Sequence, residues 1–221
     1  MSQMLAMIDK KVVLIAPQEG ILPLSSNFMR QYAEKMLQKN GVEIVKENLQ
    51  NVNFNDGYIE IGERKIDYEL LVNLGKRQGV IVPNELNIAV KDGYIEIDDK
   101  FRTNVDNIYA IGDVNGKSRF AHIASAQGLY VINTICGVEA KFELEKYPLN
   151  MYTYPEFSQI GYREEELEAK GIEFKTSEFS LAANGKALAE GNNDGIIRIL
   201  SDTKYGEVLG VQIIADNATD L

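Results

Sequence analysis

The sequence is poorest in cysteine and histidine, with one residue of each, Cys136 and His122, and it contains no tryptophan. One cysteine can form neither an internal disulfide nor the pair of thiols that dithiol redox chemistry requires. One histidine leaves no second imidazole to share a metal ion, so we expect no metal centre. Cys136 falls late on an apolar helix pattern, and we therefore expect it to be packed rather than catalytic.

Long apolar runs and an excess of positive charge are also missing. No stretch approaches the length of a transmembrane helix, and the first residues lack the basic and apolar regions of a signal peptide. The 23 lysine and arginine residues are outnumbered by 33 aspartate and glutamate residues, which gives a net charge of -10. Because that charge repels nucleic acids and anionic membranes, we predict neither as a partner. The single cysteine and the lack of a signal peptide or transmembrane stretch lead us to expect a cytoplasmic protein.

The most informative stretch is residues 103–137. Asn107–Ile111 is predicted as a buried strand that Gly112-Asp113 breaks, and a long helix follows. The apolar face of this helix is predicted to hold Phe120, Ile123, Ala124, Val131, Ile132 and Ile135. Ligands of open α/β sheets bind beside such strand ends, where Asp113 can accept from a hydroxyl and the helix start can face an anion. A Gly-Asp turn that merely ends a strand is the alternative, and spacing alone does not decide.

Residues 1–80 follow an order of helix, strand, helix and strand. The pattern predicts a helix tail over residues 1–10 and strands over Lys11–Ala16 and Val42–Lys46. Ser25 or Ser26 can cap the helix between them. The next segments are a hairpin over Val52–Gly62 and an extended segment over Ile66–Gly75, and a second hairpin turn is predicted at Asp92-Gly93.

Residues 147–221 are predicted as a separate α+β unit. Met151–Tyr154 and Glu173–Leu181 have strand patterns, and Glu164–Lys170 has the pattern of a short helix that ends at Gly171. The alternation in Gly195–Leu200 and Val208–Ile214, with a turn between them, predicts an antiparallel pair.

Several motifs together resemble one family. Tyr109–Val114 (YAIGDV), followed by Ala121-His122 and Gly128, is similar to the second FAD-binding motif of the flavin-dependent pyridine nucleotide-disulfide oxidoreductases. Motifs of the last 75 residues resemble the interface domain of the dihydrolipoamide dehydrogenase branch: Tyr152–Phe157, Ile160-Gly161, Ala183–Ala187 and Asp194-Gly195. The mercuric and glutathione reductase branches are less similar, because Asn184–Ala187 is closer to the lipoamide branch.

The resemblance implies an α/β plus α+β fold in three parts. Residues 1–80 would be the later half of an NAD-binding domain with a three-stranded meander, and residues 81–145 a later FAD-binding segment. Residues 146–221 would be an incomplete interface domain, through which the chain is expected to form a homodimer. The alternative interpretation, an assembly module, would dimerise through this domain or complement a separate chain.

The resemblance also implies FAD and NAD as cofactors. Asp113 would hold the ribitol chain of FAD, and the backbone of Arg119-Phe120-Ala121-His122 would face the flavin. Gly75 would line the nicotinamide side. His122 is implied to have a structural role beside the cofactor, and no catalytic residue is predicted in this chain.

The sequence departs from the family in ways that bear on activity. Ala16 stands where the family places a ribose-binding glutamate, and alanine cannot accept a hydrogen bond, so we expect weakened NAD binding. The first FAD glycine loop, the redox cysteine pair, the NAD glycine loop and the C-terminal His-Glu motif have no counterpart here. We therefore expect a fragment of a dihydrolipoamide dehydrogenase-like oxidoreductase that is inactive in isolation, or alternatively a non-catalytic dimerisation or assembly module.

Overall fold

The computed structural model describes residues 1–74, 79–80 and 85–221. Contacts within the chain define two units, one formed by residues 1–72 and 148–221 and the other by residues 73–147. The first unit combines a parallel strand pair with antiparallel sheets and helices. The predicted α/β plus α+β fold is therefore confirmed.

The first unit begins with a βαβ arrangement. Helix α1 (Ser2–Met7) precedes strand β1 (Val13–Ala16), and helix α2 (Asn27–Lys39) leads to strand β2 (Glu43–Lys46), which pairs in parallel with β1. Of the two predicted caps, Ser26 is the one used, because its hydroxyl accepts a hydrogen bond from the backbone N–H of Met29 at 3.3 Å.

A three-stranded antiparallel meander follows β2. It consists of β3 (Val52–Asn55), β4 (Tyr58–Ile61) and β5 (Arg64–Asp67). The hairpin turn at Asp56-Gly57 is confirmed. The extended segment predicted over Ile66–Gly75 is too long, since β5 ends at Asp67 and no described strand pairs with residues 68–74. A strand needs the backbone groups of a neighbour, which side-chain alternation does not supply.

The second unit is smaller and contains one long helix. Strands β6 (Val90–Lys91) and β7 (Tyr94–Ile95) form the hairpin predicted at Asp92-Gly93. Helix α3 spans Ala121–Ile135. The strand predicted over Asn107–Ile111 is wrong, because in the described chain this segment makes only one β-bridge, between Tyr109 and Arg102.

The buried face of α3 also differs from the prediction. Its fully covered positions are Ile123, Gln127 and Val131. Ile132 and Ile135 are 58% and 57% exposed. Cys136, predicted to be packed, is exposed. Apolar spacing located the helix correctly, but it did not show which side of the helix finds partners in this chain.

Residues 148–221 complete the first unit with a five-stranded antiparallel sheet. Its strands are β8 (Leu149–Met151), β9 (Glu156–Gly161), β10 (Phe174–Ser180), β11 (Ile196–Asp202) and β12 (Val208–Ala215), in the spatial order β10-β11-β12-β9-β8. Helices α4 (Glu164–Lys170) and α5 (Gly185–Glu190) lie between strands along the chain. The predicted α4 and β11–β12 pair are confirmed. The strand predicted over Met151–Tyr154 is instead β8, which ends at Met151, and sequence reasoning missed β9 and α5.

The core of the first unit joins the two ends of the chain. Helix α2 buries Met29, Ala33, Met36 and Leu37. These side chains pack with Phe157 of β9 and Ile214 of β12 in one apolar cluster. The helix is further tied to the sheet where the backbone N–H of Ser26 donates to the side-chain oxygen of Gln159 at 2.9 Å.

Candidate cofactor-binding site

The segment before α3 turns sharply at Gly112. Residues Gly112–Asn115 form a single 3-10 turn, and Gly112 has φ of +74°. Non-glycine residues rarely adopt this left-handed conformation. A Cβ at this position would also lie 3.4 Å from Cβ of Ala124. The backbone conformation therefore favours glycine in the Gly-Asp motif, while the space beside it is close to ordinary van der Waals contact.

A buried amide of α3 holds this turn in place. Oε1 of Gln127, which is fully buried, accepts from the backbone N–H of Gly112 at 2.7 Å and from Nδ2 of Asn115 at 3.1 Å. Asn115 also donates to the carbonyl of Ala110 at 3.0 Å and accepts from the backbone N–H of Lys117 at 2.9 Å. These bonds fix the turn against the helix.

Sequence reasoning missed both amides. Gln127 occupies the position between Ile123 and Val131 at four-residue spacing, so the signal was a polar residue on what is otherwise an apolar stripe. A buried amide on such a stripe requires a partner, because an unpaired polar group is unfavourable in the interior. Its Nε2 has no hydrogen-bond partner in the described chain.

Asp113 lies at the second position of the turn and is exposed. Its backbone carbonyl accepts from Gly116 N–H at 3.1 Å, whereas its carboxylate has no hydrogen-bond partner among the residues that the structure describes. The two carboxylate oxygens are thus available to hydroxyl donors from a ligand.

Helix α3 begins close in sequence to this carboxylate, after the N-cap residue Phe120. Phe120 makes no side-chain cap among the described residues, and the positive end of the helix dipole lies at this helix start. His122 is half-buried, and its ring centre lies 5.5 Å from that of Phe120. This helix start can accommodate negative charge.

Arg119 is held by the preceding hairpin. Its guanidinium donates to the hydroxyl of Tyr94 at 2.8 Å. The ring of Tyr94 lies against Gly116, where a Cβ would come within 2.7 Å of the ring. Five predicted site residues, Asp113, Arg119, Phe120, Ala121 and His122, therefore flank one turn and one helix start. The sixth, Gly75, lies outside the described residues.

The position expected to contact the ribose of NAD offers no hydrogen-bonding side chain. Ala16 is the last residue of β1 and is 3% exposed. Its backbone carbonyl is already used, accepting from the N–H of Glu47 at 2.8 Å. This end of β1 does not fit the ribose diol of a dinucleotide, which requires an acceptor there.

Two further features bear on the kind of site present. Across the described residues, no group of three or more histidine, cysteine, aspartate or glutamate side chains is placed to hold a metal ion. In the same part of the chain, no helix has both the length and the apolar character needed to cross a membrane.

Comparison with known families agrees with the motifs. Residues 1–128 match the family model described as pyridine nucleotide-disulphide oxidoreductase, and residues 147–221 match the model of the dimerisation domain of that family. Dihydrolipoyl dehydrogenase of Corynebacterium glutamicum is 33% identical over 227 residues, which cover 95% of this chain and 48% of the relative. The Geobacillus stearothermophilus enzyme of that name is 34% identical over 92% of this chain and 46% of its own length.

Solved structures show the same fold. The HOCl-induced flavoprotein disulfide reductase RclA from Escherichia coli has a TM-score of 0.87 at 21% identity, over 99% of this chain and 52% of its own. LpdA from Mycobacterium tuberculosis has a TM-score of 0.86 at 20% identity, over 99% of this chain and 50% of its own. The resemblance drawn from the motifs is confirmed, and the chain spans about half the length of the relatives that it matches.

Proposed function

The chain belongs to the pyridine nucleotide-disulphide oxidoreductase family, and from that premise we propose that it supplies part of the FAD site of a dihydrolipoyl dehydrogenase-type flavoprotein. The observation that carries this proposal is the turn at Gly112-Asp113. It presents an exposed carboxylate next to an uncapped helix start and is fixed from behind by the buried amide of Gln127.

Each part of this arrangement suits one part of FAD. The Asp113 carboxylate would accept from hydroxyls of the ribitol chain. Its charge carries little desolvation cost, because the side chain is exposed to solvent. The first-turn N–H groups of α3 would stabilise negative charge on the pyrimidine ring of the reduced flavin. FAD, when bound, supplies the two-electron acceptor between a dithiol and NAD. Arg119 and His122 would position the helix start, and neither is proposed to transfer a proton.

The same family role requires NAD, and here the residues fit poorly. Ala16 lacks the acceptor that would bind the ribose hydroxyls. We therefore propose weak NAD binding by this chain and no dihydrolipoamide-dependent NADH formation by the pure chain. Steady NADH production by pure material would contradict that proposal.

We propose the domain limits that the motifs imply, which are an NAD-binding part over 1–80, an FAD-binding part over 81–145 and an interface part over 146–221. We propose a cytoplasmic homodimer formed through the interface part. One face of its sheet carries Phe179, Ile199 and Ile160, which are 46%, 37% and 37% exposed. Their strand registers place all three on the same side of the sheet. Light scattering should give the mass of a dimer, and a monodisperse monomer would count against it.

Flavin content tests the proposal directly. The chain is purified alone and also after coexpression with the residues of the Corynebacterium relative that lie outside the match, and flavin absorbance is read after gel filtration. We expect stoichiometric FAD in the complemented assembly. An assembly that forms but stays colourless would remove the support for an FAD site.

A second candidate, a non-catalytic assembly module, is favoured by the exposed apolar row of α3. Leu129, Ile132 and Ile135 are each more than half exposed. Such rows mark interaction surfaces. The colourless assembly described above would be the result expected for this candidate.

A further inference from the structure

A cavity of about 310 Å³ opens in the first unit, and its lining includes neither Ala16 nor any residue predicted to contact FAD. Its walls are one side of α2, the Tyr154-Pro155 turn and the loop that follows α5. This volume lies at the lower end of the range for small-molecule sites. Met36, which is 8% exposed, forms an apolar part of the wall together with Pro155.

Part of the cavity lining is an ion pair between Lys39 and Asp194, whose opposite charges compensate each other. Asp194 accepts from the hydroxyl of Tyr32 at 3.1 Å and from Nζ of Lys39 at 2.8 Å. Burial, and then the charge of Asp194, raises the pKa of Tyr32 to about 12, so its hydroxyl stays protonated and donating. These groups are committed to one another and add no net charge to the cavity.

Another part of the cavity lining is held by a chain of hydrogen bonds. The Tyr154 hydroxyl donates to Oδ1 of Asn192 at 3.0 Å, and Nδ2 of Asn192 donates to Oδ2 of Asp216 at 2.7 Å. The backbone of Tyr154 is itself fixed, because its N–H donates to Oε1 of Gln3 at 3.0 Å. The Asp216 carboxylate is thereby oriented without being neutralised by a cation.

Two opposite charges on the cavity wall therefore remain unpaired. Lys35 forms no ion pair within the described chain, and Asp216 receives only a neutral amide. A ligand with a single charge would leave one of them uncompensated, whereas a ligand with both signs would satisfy both. The apolar wall provided by Met36 and Pro155 favours a hydrocarbon or aromatic body between or beside these charges.

We propose that this cavity binds a small zwitterionic amino acid, with its carboxylate on Lys35, its ammonium on Asp216 and its apolar part against Met36 and Pro155. This site is separate from the proposed FAD function, since no residue of segment 103–137 contributes to it. A flavoprotein subunit would then bind a small amino acid at a site separate from its cofactor.

The test is calorimetric titration of the full chain with phenylalanine and 6-aminohexanoate. Phenethylamine and 3-phenylpropionate, which each carry one of the two charges, serve as matched ligands. We expect a zwitterion to bind with a Kd at least tenfold below that of either singly charged compound. Equal affinity for a singly charged compound, or no heat from either zwitterion at 10 mM, would overturn the proposal.

Variants then assign the charges. Lys35→Met and Asp216→Asn should each raise the Kd about tenfold, since about 1.4 kcal/mol corresponds to one decade. Lys186→Met and Asp67→Asn, which change exposed residues outside the cavity, should leave it unchanged. Thermal unfolding of each variant separates loss of binding from loss of fold. Folded cavity variants that bind as tightly as the original chain would contradict the assignment.

Discussion

Helices α2 and α3 have similar lengths, 13 and 15 residues, but they differ in how completely their apolar surface is covered. Four residues of α2 are buried, in a cluster with side chains contributed more than 100 positions later in the chain. Helix α3 buries Ile123, Gln127 and Val131, while its apolar residues Leu129, Ile132 and Ile135 are exposed. The apolar side of the first helix is thus packed within this chain, whereas apolar residues of the second are exposed in the part of the chain that the structure describes.

The strongest test of complete packing around α2 is Phe157→Ala. Phe157 is 1% exposed, and its ring meets that of Tyr32 edge to face with centroids 6.0 Å apart. Its truncation should lower the free energy of unfolding by about 4 kcal/mol, as for other buried phenylalanines. Urea unfolding measures the change. Phe54→Ala, at a position that is 55% exposed, is the control and should lose much less. Similar losses would show that the core is misassigned.

The two sides of α3 can be compared by replacing one isoleucine on each side with alanine. Ile123→Ala, at a fully buried position, should cost about 3 kcal/mol, because it removes packed atoms and leaves a cavity. Ile132→Ala changes a residue that is 58% exposed and should stay within about 0.5 kcal/mol. Unfolding curves of the chain alone give both values. A large loss at Ile132 in the chain alone would show that this side is already covered.

The buried amide of α3 should matter less than its apolar neighbours but more than any surface residue. Gln127→Leu leaves the Gly112 N–H and the Asn115 amide without their acceptor, which should cost about 2 kcal/mol. Hydrogen exchange at the Gly112 amide should accelerate accordingly. The exposed Gln38→Leu on α2 is the matched control. Unchanged protection of Gly112 would mean that Gln127 does not hold the turn.

The smallest expected effect is the pH-dependent contribution of Tyr32, on α2, to the stability of the fold. The pKa of Tyr32 is raised to about 12 in the folded protein, from about 10 in the unfolded chain. The protonated Tyr32 hydroxyl therefore stabilises the folded protein fully below pH 10, and this contribution is lost as the pH rises through 12. Solvent screening reduces its size to about 1 kcal/mol. Tyr32→Phe should show a shallower loss of stability between pH 10 and 12.

Asp194→Asn provides the comparison for that titration. It removes the neighbouring charge but keeps the phenol in place, so its stability profile should lie between those of the original chain and Tyr32→Phe. Superimposable profiles for all three proteins would contradict the role given to Tyr32.

Local patterns predicted the parts of the fold that depend on neighbours in sequence. Helical spacing and Ser26 located α2, and the Asp-Gly pairs located two hairpins. Strand β9 was missed because Ser158 and Gln159 are polar and nevertheless buried. Their partners, Asn150 for Ser158 and the backbone of Ser26 for Gln159, lie in other elements, which alternation along one segment cannot reveal.

The candidate site likewise has parts that local sequence patterns predicted and parts that they did not. The Gly-Asp turn and the start of α3 were predictable, because a positive φ at Gly112 and an uncapped helix are local properties. The role of Gln127 was not predictable, since it depends on a hydrogen bond from the backbone of Gly112, 15 positions earlier. The exposure of Ile132, Ile135 and Cys136 was equally hidden, because burial depends on what the rest of the molecule provides.

The most direct test of the central claim is an FAD titration of Asp113→Ala, performed on the chain alone or on the complemented assembly, whichever retains flavin. Asp106→Ala, which changes another exposed aspartate of the same segment, is the control. The account predicts at least tenfold weaker FAD binding for Asp113→Ala and an unchanged Kd for Asp106→Ala. Equal Kd values for the two variants, or no flavin bound by either preparation, would contradict it.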